Sequence, residues 1–248
     1  MNRFQLASNN LQHHIVNSGT IFIQLFFSKT SLLLVAALIS VNIYAQTDTG
    51  KQAEYKKAVT ERVAKIVNTL ELSDSDKYQK VLSIVVNQYF SVNTIHEESK
   101  KANDAIKAQS LAKDQTEAAL KVQDEKKSAS LLQQHASFIT LLKNNLTDEQ
   151  VDKVKDGMTY RVFPITYAAY QDMLPNLTTE QKEKIYGWLK EARELAMDAE
   201  SSDKKHAVFG KYKGRINNYL SAAGVDMKKE GEEWQKRIKE KEAKAKTQ

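Results

Sequence analysis

The chain of 248 residues contains no cysteine. That excludes a disulfide framework, a thiol nucleophile and a lipid-anchored N-terminal cysteine together. Proline is nearly missing too, with Pro164 and Pro175 the only two. Glycine is scarce and unevenly placed: residues 51–156 hold none, whereas Gly157, Gly187, Gly210, Gly214 and Gly224 make up five of the eight. A long stretch free of both breakers and rich in helix formers has nothing to interrupt a helix. No segment alternates convincingly with period two, so almost no sheet is expected. An excess of one charge is lacking as well. Lys and Arg number 37 against 31 Asp and Glu, mixed along the chain. A dedicated nucleic-acid binder needs a concentrated basic face, so no nucleic-acid partner is expected. The modest net charge of +6 suits weak attraction to acidic polymers or anionic surfaces.

What is present begins with an apolar leader. Lys29 precedes the run Leu32-Leu33-Leu34-Val35-Ala36-Ala37-Leu38-Ile39-Ser40-Val41, followed by Asn42-Ile43-Tyr44-Ala45. A basic residue, a short apolar core and a terminal alanine with an aliphatic residue two before it form a secretory signal, cleaved before Gln46. Residues 1–45 are therefore read as a signal peptide and the protein as exported, to the periplasm or the cell surface. The alternative is an uncleaved anchor over residues 20–45, long enough at about 20 residues per span, but interrupted by Gln24 and Lys29. A start codon assigned too early would account for the long lead-in. Cleavage leaves 203 of the 248 residues. Arg3 and Lys29 are the leader's only charges, so the net charge falls from +6 to +4. That length suits one domain with a proper core. The division expected is a helical domain over 46–225 and a charged helical tail over 226–248, with no stable membrane insertion after cleavage.

The fold class expected is all-α, a single-domain helical bundle with a long helical hairpin. Tyr55, Val59, Val63, Ile66, Val67 and Leu70 recur at helical spacing, so residues 52–70 predict an amphipathic helix. Glu71-Leu72-Ser73-Asp74 breaks it. A second helix turns Val81, Ile84, Val85, Tyr89, Val92 and Ile95 inward. From 97 to 128 the apolar face thins, which reads either as a projecting helical hairpin or as a frayed excursion. The face returns at Leu131, Leu132, Phe138, Ile139, Leu141 and Leu142. Further helices are expected over 148–160, 165–173 after a bend at Pro164, and 179–199. Residues 204–220 read as less regular. The tail from 227 to 246 reads as a solvated helix that frays, with Trp234 its one large anchor.

Leu146-Thr147-Asp148-Glu149-Gln150 and Leu177-Thr178-Thr179-Glu180-Gln181 repeat one pattern, with Leu72-Ser73-Asp74-Ser75-Asp76 a looser echo. Thr as helix N-cap with Gln at the third helical position is a capping box, and Leu146 can pack on Val151 as a staple. The pattern is also similar to the Leu-Thr-x-x-Gln motifs of periplasmic stress chaperones. Capping alone explains it without that kinship.

A closer resemblance covers nearly the whole chain from Glu61 onward. The residues carrying it are Glu61-Arg62 with Lys65-Ile66-Val67, Gln88-Tyr89, Ile95-His96, Leu146 to Val151, and Lys155-Asp156-Gly157-Met158-Thr159-Tyr160. The strongest run is Ala192-Arg193-Glu194 with Ala196-Met197-Asp198-Ala199, then Lys205-His206 and Phe209-Gly210-Lys211-Tyr212-Lys213-Gly214-Arg215-Ile216-Asn217-Asn218-Tyr219-Leu220. These resemble domain-of-unknown-function family 3826, known mainly from Bacteroidetes. The resemblance implies an exported helical protein whose members tend to accompany polysaccharide-degradation systems, and it implies no mechanism.

The candidate chemistry is sparse. His96, His135 and His206 have no partner histidine at i, i+4, so no metal site is expected. Adjacent pairs such as Glu97/Glu98 lie about 100° apart on a helix and do not face one substrate. No P-loop, dinucleotide fingerprint or nucleophile elbow occurs, so no cofactor and no catalytic residue is assigned. The block 157–224, with both prolines and six of the ten tyrosines, is where a site is expected. Its first patch is Tyr160, Arg161, Tyr167 and Tyr170. Its second is His206, Lys211, Tyr212, Lys213, Arg215, Asn217 and Asn218. Aromatic faces can cover sugar C–H surfaces while Arg, Lys and Asn bind hydroxyls or carboxylates. Ordinary packing of these tyrosines is the competing account. The reading is thus a binding or accessory protein rather than an enzyme, with an oligosaccharide or acidic glycan as partner. A chaperone-like protein and an enzyme of glycan metabolism are the alternatives.

Overall fold

The first buried stripe runs along helix α1, described over 52–68, where Val59, Val63, Ile66 and Val67 recur every three to four residues. It belongs to a computed structural model that describes residues 52–245. The expected signal peptide at 1–45 and the last residues of the tail lie outside the described residues. Helices joined by turns and short loops make up everything described, with no strand, so the all-α expectation holds among the described residues. Residues from Ala53 onward form one compact unit, and no helix among the described residues is long and apolar enough to cross a membrane.

Glu71, at φ 53°, turns the chain after α1. Helix α2 (Ser75–Lys107) starts where Asp74 accepts from the backbone N–H of Asp76 and Lys77, at 2.8 and 3.0 Å. The cap is thus Asp74, one residue past the serine that the sequence pattern aligns with the threonines. Helix α3 (Lys113–Lys143) returns alongside α2. Together they form the expected long hairpin, and the stretch over 97–128 is its projecting end, where only Ser99 is buried. The inward face of α3 is narrower than its sequence suggests. Phe138 and Leu142 are buried, whereas Leu132 and Leu141 are exposed. At about 100° per residue, Leu131, Phe138 and Leu142 share one stripe and Leu132 is turned roughly a quarter-turn away.

Helices α4 (Asp148–Met158) and α6 (Thr179–Met197) each begin with the expected capping box. Thr147 accepts from Gln150 N–H at 3.3 Å, and Thr178 from Gln181 N–H at 3.2 Å. Gln150 does a second job, donating to the carbonyl of Leu70 at 3.2 Å and tying the start of α4 to the end of α1. Leu146 and Val151 are both buried, as a staple requires.

Helix α5 (Val162–Met173) starts earlier than the sequence suggests. The bend falls at Tyr160 and Arg161, both at φ 57°. Pro164 sits in the first turn, where its missing N–H would have had no helical partner anyway. The 204–220 stretch is also more regular than expected: α7 (Ser202–Ala222) is one continuous helix. Gly210 and Gly214 lie inside it with nothing within 4 Å of where a Cβ would sit, so neither marks a helix end or a close approach. Helix α8 (Met227–Ala245) docks back through Trp234, which donates to the Asp172 carboxylate at 2.6 Å, and Arg237, which donates to the carbonyls of Asp172 and Met173.

Two apolar cores result. The first gathers α1, α2, the end of α3, and α4 around Val63, Val85, Phe138, Leu142 and Met158. The second gathers α5, α6 and α7 around Phe163, Ile185, Leu189, Phe209, Ile216 and Leu220. Polar groups concentrate where the two meet.

Candidate functional site

The inward face of α6 carries Ile185, Leu189, Ala192 and Ala196, but the same face also presents Arg193, only 1% exposed. Its guanidinium donates to Asp156 and Asp152, each at 2.7 Å, and lies over the Phe163 ring at 5.1 Å. Burial works against the charge of Arg193, but the bonds and charges of Asp156 and then Asp152 outweigh it and raise its pKa. Burial also raises Asp156 despite the arginine beside it. Glu194 accepts from Lys155 at 2.8 Å and lies 3.4 Å from His135 Nε2. Burial pushes Glu194 up, but His135, Lys155 and Arg193 together hold it down at about 2. His135 Nδ1 meets Asp198 at 2.8 Å, and the bonds to Asp198 and Glu194 raise the imidazole to about 9. His96 Nε2 lies 2.8 Å from the Asp198 carbonyl. Acids and bases here pair with one another, although the buried Asp198 Oδ1 has no hydrogen-bond partner, and the seam joins helices. Among the described residues no group of three or more His, Asp or Glu is arranged to hold a metal ion.

A different situation holds a few residues on. α7 places Lys205, Phe209, Ile216 and Leu220 on its buried face. Lys205 is 5% exposed, and its ammonium donates only to the carbonyls of Met158 and Met197, at 3.3 and 3.2 Å. It stands 5.5 Å from the centre of the Tyr89 ring. Among the described residues no carboxylate lies within ion-pair distance. Burial lowers its pKa to about 8, the charge of Asp198 opposing this and that of Arg62 adding to it. Burial likewise pushes Tyr89 up to about 12, against the pull of Arg62.

Lys205 lines a pocket of about 120 Å³ shared by Arg62 of α1, Gln88, Tyr89 and Asn93 of α2, and Tyr160 of the α4–α5 corner. Gln88 is 1% exposed; its carbonyl accepts from Gln134 at 2.8 Å and its Nε2 has no partner. Ser201 and Ser202 bring the start of α7, the positive end of its dipole, to the same rim. The donors converging here are an ammonium, a guanidinium and a free amide; the one carboxylate on the lining is Glu200, 3.7 Å from His96 Nδ1. On its other side Tyr160 lines a larger groove of about 520 Å³, with Lys65, Lys153, Asp156, Gly157 and Arg161.

The residues singled out in the sequence are distributed around these features. Tyr160 lines both, with its ring stacked on His206 at 5.4 Å and 12°. Arg161 lines the groove. Tyr167 lies in an aromatic cluster with Phe163 and Tyr186. Tyr170 is buried and donates to Asn217 Oδ1 at 2.7 Å. Tyr212 packs against the second core, and burial, then Glu191, raises its hydroxyl to about 12. Arg215 stands over Trp188 at 4.6 Å, with Glu191 at 3.9 Å. Lys211, Lys213 and Asn218 are exposed on α7. The two patches touch at Tyr160–His206 and Tyr170–Asn217, while Arg161 and Arg215 have separate surroundings. Lys205, Gln88 and Arg62 were not singled out as site residues. The available signal was a polar residue on an apolar stripe: Lys205 four before Phe209, and Gln88 between Val85 and Val92.

The sequence model of the family described as Protein of unknown function (DUF3826) matches residues 56–240, and the chain belongs to that family. The match runs from α1 into α8 and contains every residue of the pocket except Tyr55. No curated protein matches the chain.

Proposed function

We propose that this is an exported helical binding or accessory protein that takes a carboxylate-bearing sugar in the Lys205 pocket, working beside polysaccharide breakdown in the periplasm or at the surface of a Gram-negative cell. The observation that carries the reading is an excess of donors on one pocket: the Lys205 ammonium, the Arg62 guanidinium and Gln88 Nε2 stand against one lining carboxylate, Glu200, which lies 3.7 Å from His96 and within ion-pair distance of neither Lys205 nor Arg62. A buried ammonium is costly without a counter-ion. Two carbonyl contacts leave one of its three N–H groups available. An incoming carboxylate supplies the missing charge, and charge-assisted bonds to it are about twice as strong as neutral ones. Tyr89 and Tyr160 supply apolar faces for the sugar ring. The buried acids of the neighbouring seam already have cationic partners, which favours binding over acid–base catalysis. Export rests on the character of residues 1–45.

Titrating residues 46–248 with D-glucuronate, D-galacturonate and neutral glucose tests this. The acids should give saturable heat, glucose none, and Arg62→Ala should weaken the acids at least tenfold while leaving the melting temperature unchanged, because Arg62 is exposed. Equal binding of glucose, or an Arg62→Ala variant that binds normally, would sink the reading.

A further inference from the structure

The pocket alone is small. About 120 Å³ is below the roughly 300 Å³ at which ordinary ligand pockets begin, so it accommodates one acidic unit at most. The groove beyond Tyr160, at about 520 Å³, has space for more. It is basic in the same way: among the described residues Lys65 and Arg161 have no carboxylate within ion-pair distance, whereas Lys153 pairs with Glu149 at 3.1 Å. Its one acid, Asp156, is bound to Arg193. Its floor depends on Gly157, where a Cβ would fall 2.8 Å from Ile66 Cγ2, so only glycine lets α4 approach α1 this closely.

The corner between pocket and groove is held in an uncommon conformation. Tyr160 and Arg161 both have φ 57°, a conformation uncommon for non-glycine residues that persists only where the surroundings impose it. The result puts one tyrosine ring on the shared wall, backed by His206, and the next residue's guanidinium in the groove.

We propose that the ligand is the end of an acidic oligosaccharide: its terminal uronate enters the Lys205 pocket, the chain crosses Tyr160, and the following acidic units lie in the Lys65–Arg161 groove. This rests on the reading of the pocket given above and adds chain-end recognition to it. A linear acidic chain fits a buried cation on a small pocket followed by further cations along a larger groove, and the tyrosine at the crossing favours a sugar over an acidic peptide.

The probes are galacturonate, its α-1,4-linked trimer, and triglutamate, titrated into wild type and Arg161→Ala. The trimer should bind at least tenfold more tightly than the monomer. Arg161→Ala should remove that gain and leave monomer affinity unchanged, since Arg161 is exposed and outside the pocket. Equal affinity for monomer and trimer overturns the groove while leaving the pocket reading intact. Triglutamate binding as tightly as the uronate trimer overturns the saccharide, and no heat from monomer or trimer overturns both.

Discussion

Arg193, His135 and Lys205 are three buried or half-buried bases with different surroundings, and their chemistry diverges accordingly. Arg193 has two carboxylates at 2.7 Å and acts as a strut. His135 sits between Asp198 and Glu194 and its pKa of about 9 is above the ordinary 6.5. Its contribution to stability is therefore fully present below pH 6.5 and lost as pH rises through 9. The melting-temperature gap between wild type and His135→Gln should be widest near pH 6 and close by pH 10; a gap that does not change with pH would contradict the ion-pair role. Lys205 has no carboxylate within ion-pair distance among the described residues, and burial moves its pKa the other way. Sequence periodicity made the apolar members of these stripes legible. It did not mark the polar ones, because a lone lysine or glutamine between valines or ahead of a phenylalanine looks like an exposed position until the helix packs.

At the scale of the element, local chemistry was readable wherever a backbone group needed a side chain. The boxes at Thr147 and Thr178 follow from orphan N–H groups at helix starts, and the hairpin from the lack of breakers between 51 and 156. Glycine was less legible, because its cause can lie in another helix. Gly157 is required by Ile66, whereas Gly210 and Gly214 have open space around them. Gly210→Ala should therefore stabilise the protein by about 0.5–1 kcal/mol, through the helix preference of alanine. Gly157→Ala should destabilise it by about 1–3 kcal/mol, as expected for overpacking. Urea midpoints separate the two, and equal effects would refute the close α1–α4 approach. The Pro164 bend was displaced by two turn residues that the sequence did not distinguish, Tyr160 and Arg161, whose left-handed conformation is set by the surrounding helices.

At the scale of the molecule, two apolar cores meet along a seam that is electrically satisfied at Arg193 and unsatisfied at Lys205. The all-helical architecture was readable from composition and period. The pocket was not, since it draws Arg62, Gln88, Tyr160 and Lys205 from four separate parts of the chain. Its central feature is the buried Lys205 ammonium, and the proposal that an anion joins it there can be measured directly. Burial lowers the Lys205 pKa to about 8, so part of the ammonium is neutral at pH 8, and a carboxylate bound beside it would raise the pKa and draw in a fraction of a proton. Calorimetric titration with galacturonate at pH 8 in two buffers of different ionisation enthalpy reads that uptake. The account predicts net proton uptake that disappears in Lys205→Met; binding without proton uptake, or uptake that persists in Lys205→Met, would contradict it.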